Sequence, residues 1–264
     1  MLLLLPNFED AEFSDFEFRQ IGLRTLLTDL GTGHAARTDK TPVFRDPYSH
    51  MHDEAPVALL RMGHFREEDD AIDWDAVSAD LQQSIEYQEK EVVERRLILQ
   101  ADDLLLSLRG QPRVIRISGA SLDAMPEALV QRGFRLAPNN NFILIRSHPQ
   151  LVQVPFLHLL LQVLLEYVLE AWHAVLAERP ISSSIGTYLQ QKYEERTGSS
   201  KSPGYPIGTR ELKALVLSIP TDQTAQMKLV EHYRQIRDEE LMIKKRMRNF
   251  HSRLTYLTNP NIMP

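Results

Sequence analysis

A heptad pattern near the end of the chain constrains the fold more than any other feature of the sequence. Apolar residues recur at alternating steps of four and three, with Glu240 as the polar exception: Leu229, Tyr233, Ile236, Ile243, Met247, Phe250, Leu254 and Leu257. This spacing predicts a coiled-coil helix over 223–258, with Asp222 near its N-cap. About four heptads are long for a globular helix and short for an autonomous coiled coil, so the seam requires a partner helix or its own domain.

The composition limits both the compartment and the ligands. The chain has 264 residues, of which 43% are hydrophobic, enough for one large or two modest domains. It has no cysteine, which excludes disulfides, zinc–thiolate clusters and thiol nucleophiles and fits a cytoplasmic protein. A net charge of −6 argues against a free-standing nucleic-acid binder. A DNA site would therefore be a local basic patch or would be shared with a partner.

Two apolar stretches raise the question of membrane targeting. The opening MLLLLPNFED is short and lacks a basic segment, so it is not expected to be a secretory signal. The stretch 151–176 is interrupted by Gln162, Glu166 and Glu170. Charges in its middle predict an amphipathic, mostly buried helix and no membrane span.

The segment 18–222 mixes short strands with helices, which predicts an α+β domain. Helical spacing runs over 21–30 and stops at Gly31, and further helices are predicted at 76–87, 155–177 and 182–197. Strands are predicted at 58–62, 97–99, 104–108, 114–117 and 142–145, and an acidic solvated turn at 66–75. The predicted organisation is a lead-in over 1–17, a domain over 18–222, the helix over 223–258 and a tail over 259–264.

The stretch 97–113, LILQADDLLLSLRGQPR, combines an apolar strand with a polar end. Asp102 and Asp103 introduce the apolar run, which breaks at Ser-Leu-Arg-Gly and presents Ser107, Arg109 and Arg113. Arginine, serine and glutamine at the end of a rigid strand are suited to holding a phosphate or a base edge. The residues alone favour a core strand that ends in a solvated arginine.

The phrase DDLLLSLRG resembles "L-x-x-GD-hydrophobic-S-x-RG" in the target-recognition domains of type I restriction-modification specificity subunits, with Ala101-Asp102 at the family's Gly-Asp. Four other stretches resemble family phrases in the same order. They are FRQIGLRTLL (18–27, opening strand and first helix), VALLRMGHFREEDDAIDW (57–74), NFILIR (141–146) and GTRELKALVLSIP (208–220). The resemblance spans roughly 18 to 257.

This resemblance implies a DNA-recognition protein without catalysis of its own. In the family such helices separate two recognition domains and pair antiparallel. One domain and one helix therefore resemble half of a subunit, which two copies would complete by two-fold symmetry. The implied partners are double-stranded DNA, a methyltransferase subunit and possibly a restriction subunit, besides a second copy or another half-subunit.

Polar and basic loop residues form the predicted DNA-binding set. They are Arg37, Lys40, Ser107, Arg109, Gln111, Arg113, Asn139, Asn140, Lys201, Ser202 and Tyr205. A further basic cluster runs from Lys244 to Arg253 on the last helix and would meet an acidic partner or the DNA backbone. The alternative function is a protein-interaction adaptor of a defence complex that keeps the fold without reading DNA, which the acidic balance favours.

Other chemistries find weaker support in the sequence. His50, His52, Asp53 and Glu54 lie in one loop without a second cluster, so a polar loop is favoured over a metal site. A nuclease site would use Asp102, Asp103 and Lys90, but the aspartates are expected to cap a turn. Ser107 and Ser118 lack a nucleophile elbow, Gly31-Thr-Gly33 precedes no helix, and no N-P-P-Y methyltransferase motif occurs. The sequence predicts no cofactor, no metal and no catalysis.

Overall fold

A computed structural model describes residues 16–33, 52–53, 56–88, 93–107, 112–179, 184–197 and 207–258. Its strands are β1 (Phe18–Gly22), β2 (Leu27–Thr32), β3 (His52–Asp53), β4 (Val57–Leu60), β5 (Val93–Glu94), β6 (Leu104–Ser107), β7 (Val114–Arg116), β8 (Arg135–Pro138), β9 (Phe142–Ser147) and β10 (Val216–Pro220). Its helices are α1 (Trp74–Gln88), α2 (Gly119–Asp123), α3 (Glu127–Gln131), α4 (Val154–Leu176), α5 (Ser184–Thr197), α6 (Thr209–Ala214) and α7 (Gln223–Thr258). The mixture confirms the predicted α+β class.

A four-stranded antiparallel sheet with the order β2-β9-β6-β7 forms the centre of the fold. Side chains alternate between its faces, as the strand period requires. One face packs Leu104, Leu106, Val114, Ile143 and Ile145 against α4 and the elements around it. The other packs Leu105, Ile115, Phe142 and Leu144 against β4, β8 and α1. Because both faces are covered, the strand ends are held rigidly, and the predicted buried strand at 104–108 is confirmed as far as Ser107.

Three two-stranded pairings surround this sheet. β1 pairs antiparallel with β10, so that Phe18 lies opposite Pro220, and Thr221 N–H donates to the carbonyl of Glu17 at 2.9 Å. β4 pairs in parallel with β8, and β3 pairs antiparallel with β5. The β1–β10 pairing brings the first described strand next to the start of α7, so the long helix leaves from the point where the domain begins.

The predicted helix over 21–30 is wrong. The stretch ends β1, makes a 3-10 turn at Leu23–Leu26 and continues as β2. An irregularity in the β2–β9 register between Leu27 and Asp29 breaks the alternation of the strand. Leu27 and Leu30 are consequently both buried, three residues apart, and this spacing imitates a helix.

The predicted strand at 97–99 is also wrong. Arg95–Leu97 forms a 3-10 turn, and Leu99 N–H donates to the carbonyl of Leu136 at 2.8 Å. Leu97 and Leu99 are nevertheless buried, so the stretch contributes to the core without forming a strand.

The helices at 76–87, 155–177 and 182–197 are confirmed as α1, α4 and α5 within a few residues at each end. By length and composition α4 is able to cross a membrane, but 56% of its most apolar window is buried inside the protein. Its buried side chains, among them Phe156, Leu160 and Val168, belong to the cluster under the sheet. This agrees with the predicted core helix.

The predicted last helix is confirmed as α7, and the coiled-coil pairing of its seam stays a prediction. The Asp222 carboxylate accepts a hydrogen bond from Ala225 N–H at 3.0 Å, as an N-cap does. Leu229 is buried, whereas Ile236, Ile243 and Met247 are 42%, 56% and 55% exposed. The side chains of Phe250, Leu254 and Leu257 lie outside the described residues.

A buried amide fixes the start of α7. Gln226 is fully buried, and its Oε1 accepts from Gln153 N–H at 2.9 Å. Its Nε2 donates to the carbonyls of Pro220 at 3.2 Å and Leu151 at 3.4 Å. These bonds tie the first turns of α7 to the segment that leads into α4.

Candidate functional site

The strand register places three connections at the same end of the central sheet. Residue pairs across the ladder are Thr32 with Ile143, Ser107 with Phe142, and Leu106 with Val114. β2 and β6 therefore end where β7 and β9 begin. The connections 34–51, 108–111 and 139–141 all leave from this side of the sheet, which we name the loop end.

The loop end receives three of the segments that carry the predicted DNA-binding residues. Arg37 and Lys40 lie in 34–51, and Arg109 and Gln111 in 108–111, all outside the described residues. Lys201, Ser202 and Tyr205 also lie outside them, and their flanks, Thr197 and Ile207, are not part of the sheet. The described strand ends thus bring two of the three predicted loops together with the turn at Asn139 and Asn140.

The turn at 139–141 is built by close backbone packing. Gly33 N–H donates to the carbonyl of Phe142 at 2.9 Å, and a Cβ on Gly33 would lie 2.1 Å from the carbonyl oxygen of Asn139. Only glycine fits there. Asn139 Oδ1 accepts from Asn141 N–H at 3.1 Å, and Asn139 N–H donates to the carbonyl of Leu60 at 3.0 Å.

Two residues of the predicted set face the interior. Ser107 is 1% exposed and Asn139 is 9% exposed, and Asn139 uses its amide oxygen to hold the turn. Burial leaves little of either side chain exposed to a ligand, and the assignment of both to the DNA-binding set stays a prediction. Asn140 is exposed beside them. In the turn at 139–141, Asn140 is therefore the member of the predicted set whose side chain is exposed.

Arg113 lies at the loop end immediately before β7 and is held loosely. Its Nη1 lies 3.3 Å from the Asp70 carboxylate and 3.5 Å from the carbonyl of Arg66, and its Nη2 lies 3.4 Å from the carbonyl of Phe65. These distances are at the outer limit of hydrogen bonds. Asp70 has φ 58°, in the left-handed region, and burial raises its pKa although Arg113 opposes that rise. Half-buried Asp70 thus departs from the fully solvated turn predicted at 66–75.

A second aspartate–arginine pair stabilises the opposite end of the sheet. The buried Asp103 carboxylate receives Arg146 Nε and Nη2, both at 2.7 Å, and also accepts from Gln100 N–H at 2.8 Å. Arg146 donates in addition to the carbonyl of Ile98 at 3.0 Å, and the hydrogen bond to Asp103 raises the pKa of Arg146. The prediction that this carboxylate caps a turn is confirmed. Two of the phrases that carry the resemblance, around Asp103 and at NFILIR, meet in this pair.

The backbone immediately before β6 lies in the left-handed region at Asp102. Its φ is 70°, a conformation that favours glycine, and its carboxylate receives Arg116 Nη2 at 2.6 Å.

A cleft of about 630 Å³ adjoins the loop end, between β7, α4 and α7. We name it the α4–α7 cleft. Its lining residues are Pro112, Arg113, Val114, Gln162, Leu165, Glu166, Leu169, Tyr233, Arg234, Arg237 and Asp238. Apart from Arg113 and the seam residue Tyr233, none of these was predicted as a site residue, because only the tertiary fold brings the three segments together.

No group of three or more His, Asp or Glu side chains close enough to hold a metal ion occurs in the part of the chain that the structure describes. The side chains of His50, His52, Asp53 and Glu54 lie outside that part.

Comparisons with known proteins give little more. No protein-family model and no curated protein matches the sequence. The crystal structure of the HsdS subunit from Thermoanaerobacter tengcongensis is similar over 89% of this chain, with 11% sequence identity and a TM-score of 0.39. This chain spans 42% of the length of that protein. A likeness at this level establishes neither a shared fold nor a shared function.

Proposed function

We propose that the chain is a DNA sequence-recognition protein of the type I restriction-modification kind, which reads a half-site with the loop end of its sheet. The observation that supports the proposal is the convergence of predicted polar and basic segments at that end. Of the predicted set, Arg113 and Asn140 are described at the loop end and are not buried. The segments that carry the other predicted residues of this end leave from the same strand ends: Arg37, Lys40, Arg109 and Gln111.

The rigidity of the sheet suits such a role. Base-edge contacts discriminate by about 1–3 kcal/mol each only when their donors are held in place. Both faces of the central sheet are buried, and the Gly33–Asn139 packing fixes the turn between its strands. The net charge of −6 implies that a partner supplies much of the contact with the DNA backbone.

The exposed part of α7 would supply assembly. A row of apolar side chains on α7 is exposed to solvent, namely Ile236, Ile243 and Met247. Such a row favours pairing with another helix. The charges along α7 are unequal, with Asp238, Glu239 and Glu240 at its middle and a basic cluster from Lys244 to Arg253 beyond. Antiparallel pairing of two copies would place the basic part of each helix beside the acidic part of the other. Such a pair would carry two reading ends and dock a methyltransferase subunit and possibly a restriction subunit.

DNA reading is tested in a complex purified with its native partners. Gln111→Ala should lower the preference for target over random DNA by about 1–3 kcal/mol, because one base contact is lost. Lys40→Ala should weaken binding to both DNAs alike, because a phosphate contact carries no sequence information. Arg210→Ala, at an exposed position on α6, is the control. Unchanged target preference in Gln111→Ala and unchanged affinity in Lys40→Ala would remove the loop end as the reading site.

Assembly is tested by placing charge in the seam. Ile243→Glu together with Phe250→Glu should give a folded monomer, because carboxylates are costly in a helix interface. Met242→Glu is a matched control, since Met242 is 57% exposed, next to Ile243 and off the heptad seam. Sedimentation that shows a monomeric wild-type protein would contradict pairing between copies.

The adaptor alternative rests on a specific observation. Ser107 and Asn139 are buried, and Arg113 already faces Asp70. An adaptor would co-purify with the same partners through α7, and the complex would show no sequence preference. Methylation-sensitive sequencing of the host genome distinguishes the two functions, because a reading subunit directs methylation to one motif.

A further inference from the structure

We propose that the α4–α7 cleft binds a phosphate group through Arg113, Arg234 and Gln162. Asp70 pairs with Arg113 when no phosphate is bound and is replaced when one binds. The proposal deepens the proposed function in one respect, since a DNA backbone phosphate is the source that the function implies. The site itself rests on the geometry of the cleft.

The cleft has the size and lining of a ligand site. Its volume of about 630 Å³ lies within the range of small-molecule pockets. Leu165, Leu169 and Val114 form apolar walls, and three guanidinium groups outnumber the two carboxylates that also line it. One of these carboxylates, Glu166, is paired with Arg237.

Arg113 has unused capacity to donate. A guanidinium carries five N–H donors in a fixed fork. In the described part of the chain, those of Arg113 reach only acceptors at 3.3 to 3.5 Å, and its Nε has no partner. A phosphate oxygen at about 2.8 Å would bind this group more strongly than its present neighbours do.

Arg234 and Gln162 provide donors from two other elements. The Arg234 side chain is 61% exposed, and the carboxylate of Glu231, one turn earlier on α7, lies 3.9 Å from it. That distance is too long for a hydrogen bond. Gln162, on α4, is half-buried and makes no hydrogen bond with the described residues. With Arg113 before β7, the three donor side chains line the cleft from three different elements.

Asp70 is placed to act as an internal substitute for the phosphate. Its backbone stays in the left-handed region at φ 58°, which is unfavourable for a non-glycine residue, and its carboxylate is directed to Arg113. Exchange of Asp70 for a phosphate keeps Arg113 paired with an anion and releases the half-buried carboxylate. In the proposal, Asp70 therefore competes with the phosphate for Arg113.

The location of the cleft connects it to DNA. Pro112 and Arg113 line the cleft and also end the 108–111 connection that carries Arg109 and Gln111. A phosphate in the cleft would consequently lie next to the point where that connection joins β7. A free phosphate or a nucleotide has the same chemistry, so the test includes both sources.

The test measures anisotropy of a labelled random-sequence duplex bound to the full chain between about 50 and 200 mM salt. Asp70→Asn keeps the side-chain shape and removes the competing charge, so affinity should rise, on the order of threefold to tenfold. Arg234→Gln should weaken binding and reduce the slope of log K against log salt by about 1. Arg210→Gln, which removes an exposed arginine outside the cleft, is the control for net charge. A parallel arm measures the shift of melting temperature caused by inorganic phosphate.

The outcomes separate the cleft from the proposed function. A gain with Asp70→Asn and a loss with Arg234→Gln beyond the control support the cleft as a backbone site. Duplex binding that neither substitution changes overturns the cleft and leaves DNA reading intact. If the wild type binds no duplex, the phosphate arm decides. A phosphate-induced shift that grows in Asp70→Asn and vanishes in Arg234→Gln supports a free-phosphate site, and no such shift overturns the proposal.

Discussion

Two aspartate–arginine pairs lie at opposite ends of the central sheet and differ in almost every physical respect. Asp103 is 1% exposed and receives Arg146 in a bidentate pair with both distances at 2.7 Å. Asp70 keeps 30% of its side chain exposed and meets Arg113 once, at 3.3 Å. The same two residue types thus form a structural element at one end and an exchangeable contact at the other.

The difference shows what decides the role of an ion pair. A buried carboxylate is tolerated only when its lone pairs are filled, and Asp103 fills them with a guanidinium and a backbone N–H. Asp70 has one long contact with Arg113, which offsets little of its desolvation, so burial raises its pKa. Completeness of hydrogen bonding separates the structural pair from the pair that a ligand is able to replace.

The largest expected effect comes from breaking the tight pair. Asp103→Asn leaves Arg146 charged and partly buried without its carboxylate, so the free energy of unfolding should fall by about 3–5 kcal/mol. Urea denaturation followed by circular dichroism measures this. Asp69→Asn, in an exposed pair with Arg66, is the control and should leave stability unchanged. A loss below about 1 kcal/mol in Asp103→Asn would show that the pair is not structural.

A smaller effect should follow from Arg146→Lys. Lysine keeps the charge but loses the planar fork, so one bond to Asp103 and the bond to the carbonyl of Ile98 are lost. The expected loss is about 1–3 kcal/mol in the same denaturation experiment. A loss equal to that of Asp103→Asn would mean that geometry, and not charge, carries the whole interaction.

Asp70→Asn should change stability by less than about 1 kcal/mol in either direction, because a weak ion pair is lost while a desolvated carboxylate is relieved. The matched Asn substitution at Asp103 makes the comparison direct. A loss at Asp70 as large as that at Asp103 would erase the distinction between the two ends and remove the basis for an exchangeable contact.

The smallest expected effect is the pH dependence of stability that His158 contributes, close to the Asp70–Arg113 pair. Burial lowers the pKa of His158, whose Nε2–H donates to the carbonyl of Val114 at 3.0 Å. The unfolded chain therefore binds a proton more readily, and stability should fall as the pH decreases below about 6.5. Asp70, with a raised pKa, acts with the opposite sign at lower pH.

The variant His158→Gln tests this pH dependence, since the glutamine amide is able to donate to Val114. Its loss of stability between neutral and mildly acidic pH should be shallower than that of the wild type. The loss should not vanish, because burial also lowers the pKa of His64. An unchanged pH profile in denaturant titrations would show that His158 is protonated freely in the folded protein.

The sequence predicted the elements whose signal is local. The 3.6-residue period located α4 and α7, and the apolar run located β6, because burial on one side or on all sides is visible in a single segment. It failed at 21–30, where an irregular register gave a strand the spacing of a helix. The sequence also did not reveal the burial of Ser107 and Asn139, since polarity alone does not show which side of a strand end is buried.

The candidate site was predicted only in part, because its contacts join distant segments. Asp70 and Arg113 are 43 positions apart, and the acidic run around Asp70 has the composition of a solvated turn. Arg234 and Gln162 are ordinary helix-surface residues until α4 and α7 pack beside β7. The sequence had already indicated residues in all three connections, and the register of the sheet, which no local pattern determines, brings these connections to one end.

The buried amide of Gln226 has a consequence at the far end of α7. A helix of 36 residues extends for about 54 Å, so a rotation of about 10° at its base would move its tip by about 9 Å. In a two-fold pair that displacement corresponds to nearly three base-pair steps of about 3.4 Å. In the proposed pair, the three hydrogen bonds of this one side chain would fix the angle at which α7 leaves the domain, and the tolerance of that angle would set how accurately the two loop ends keep their spacing.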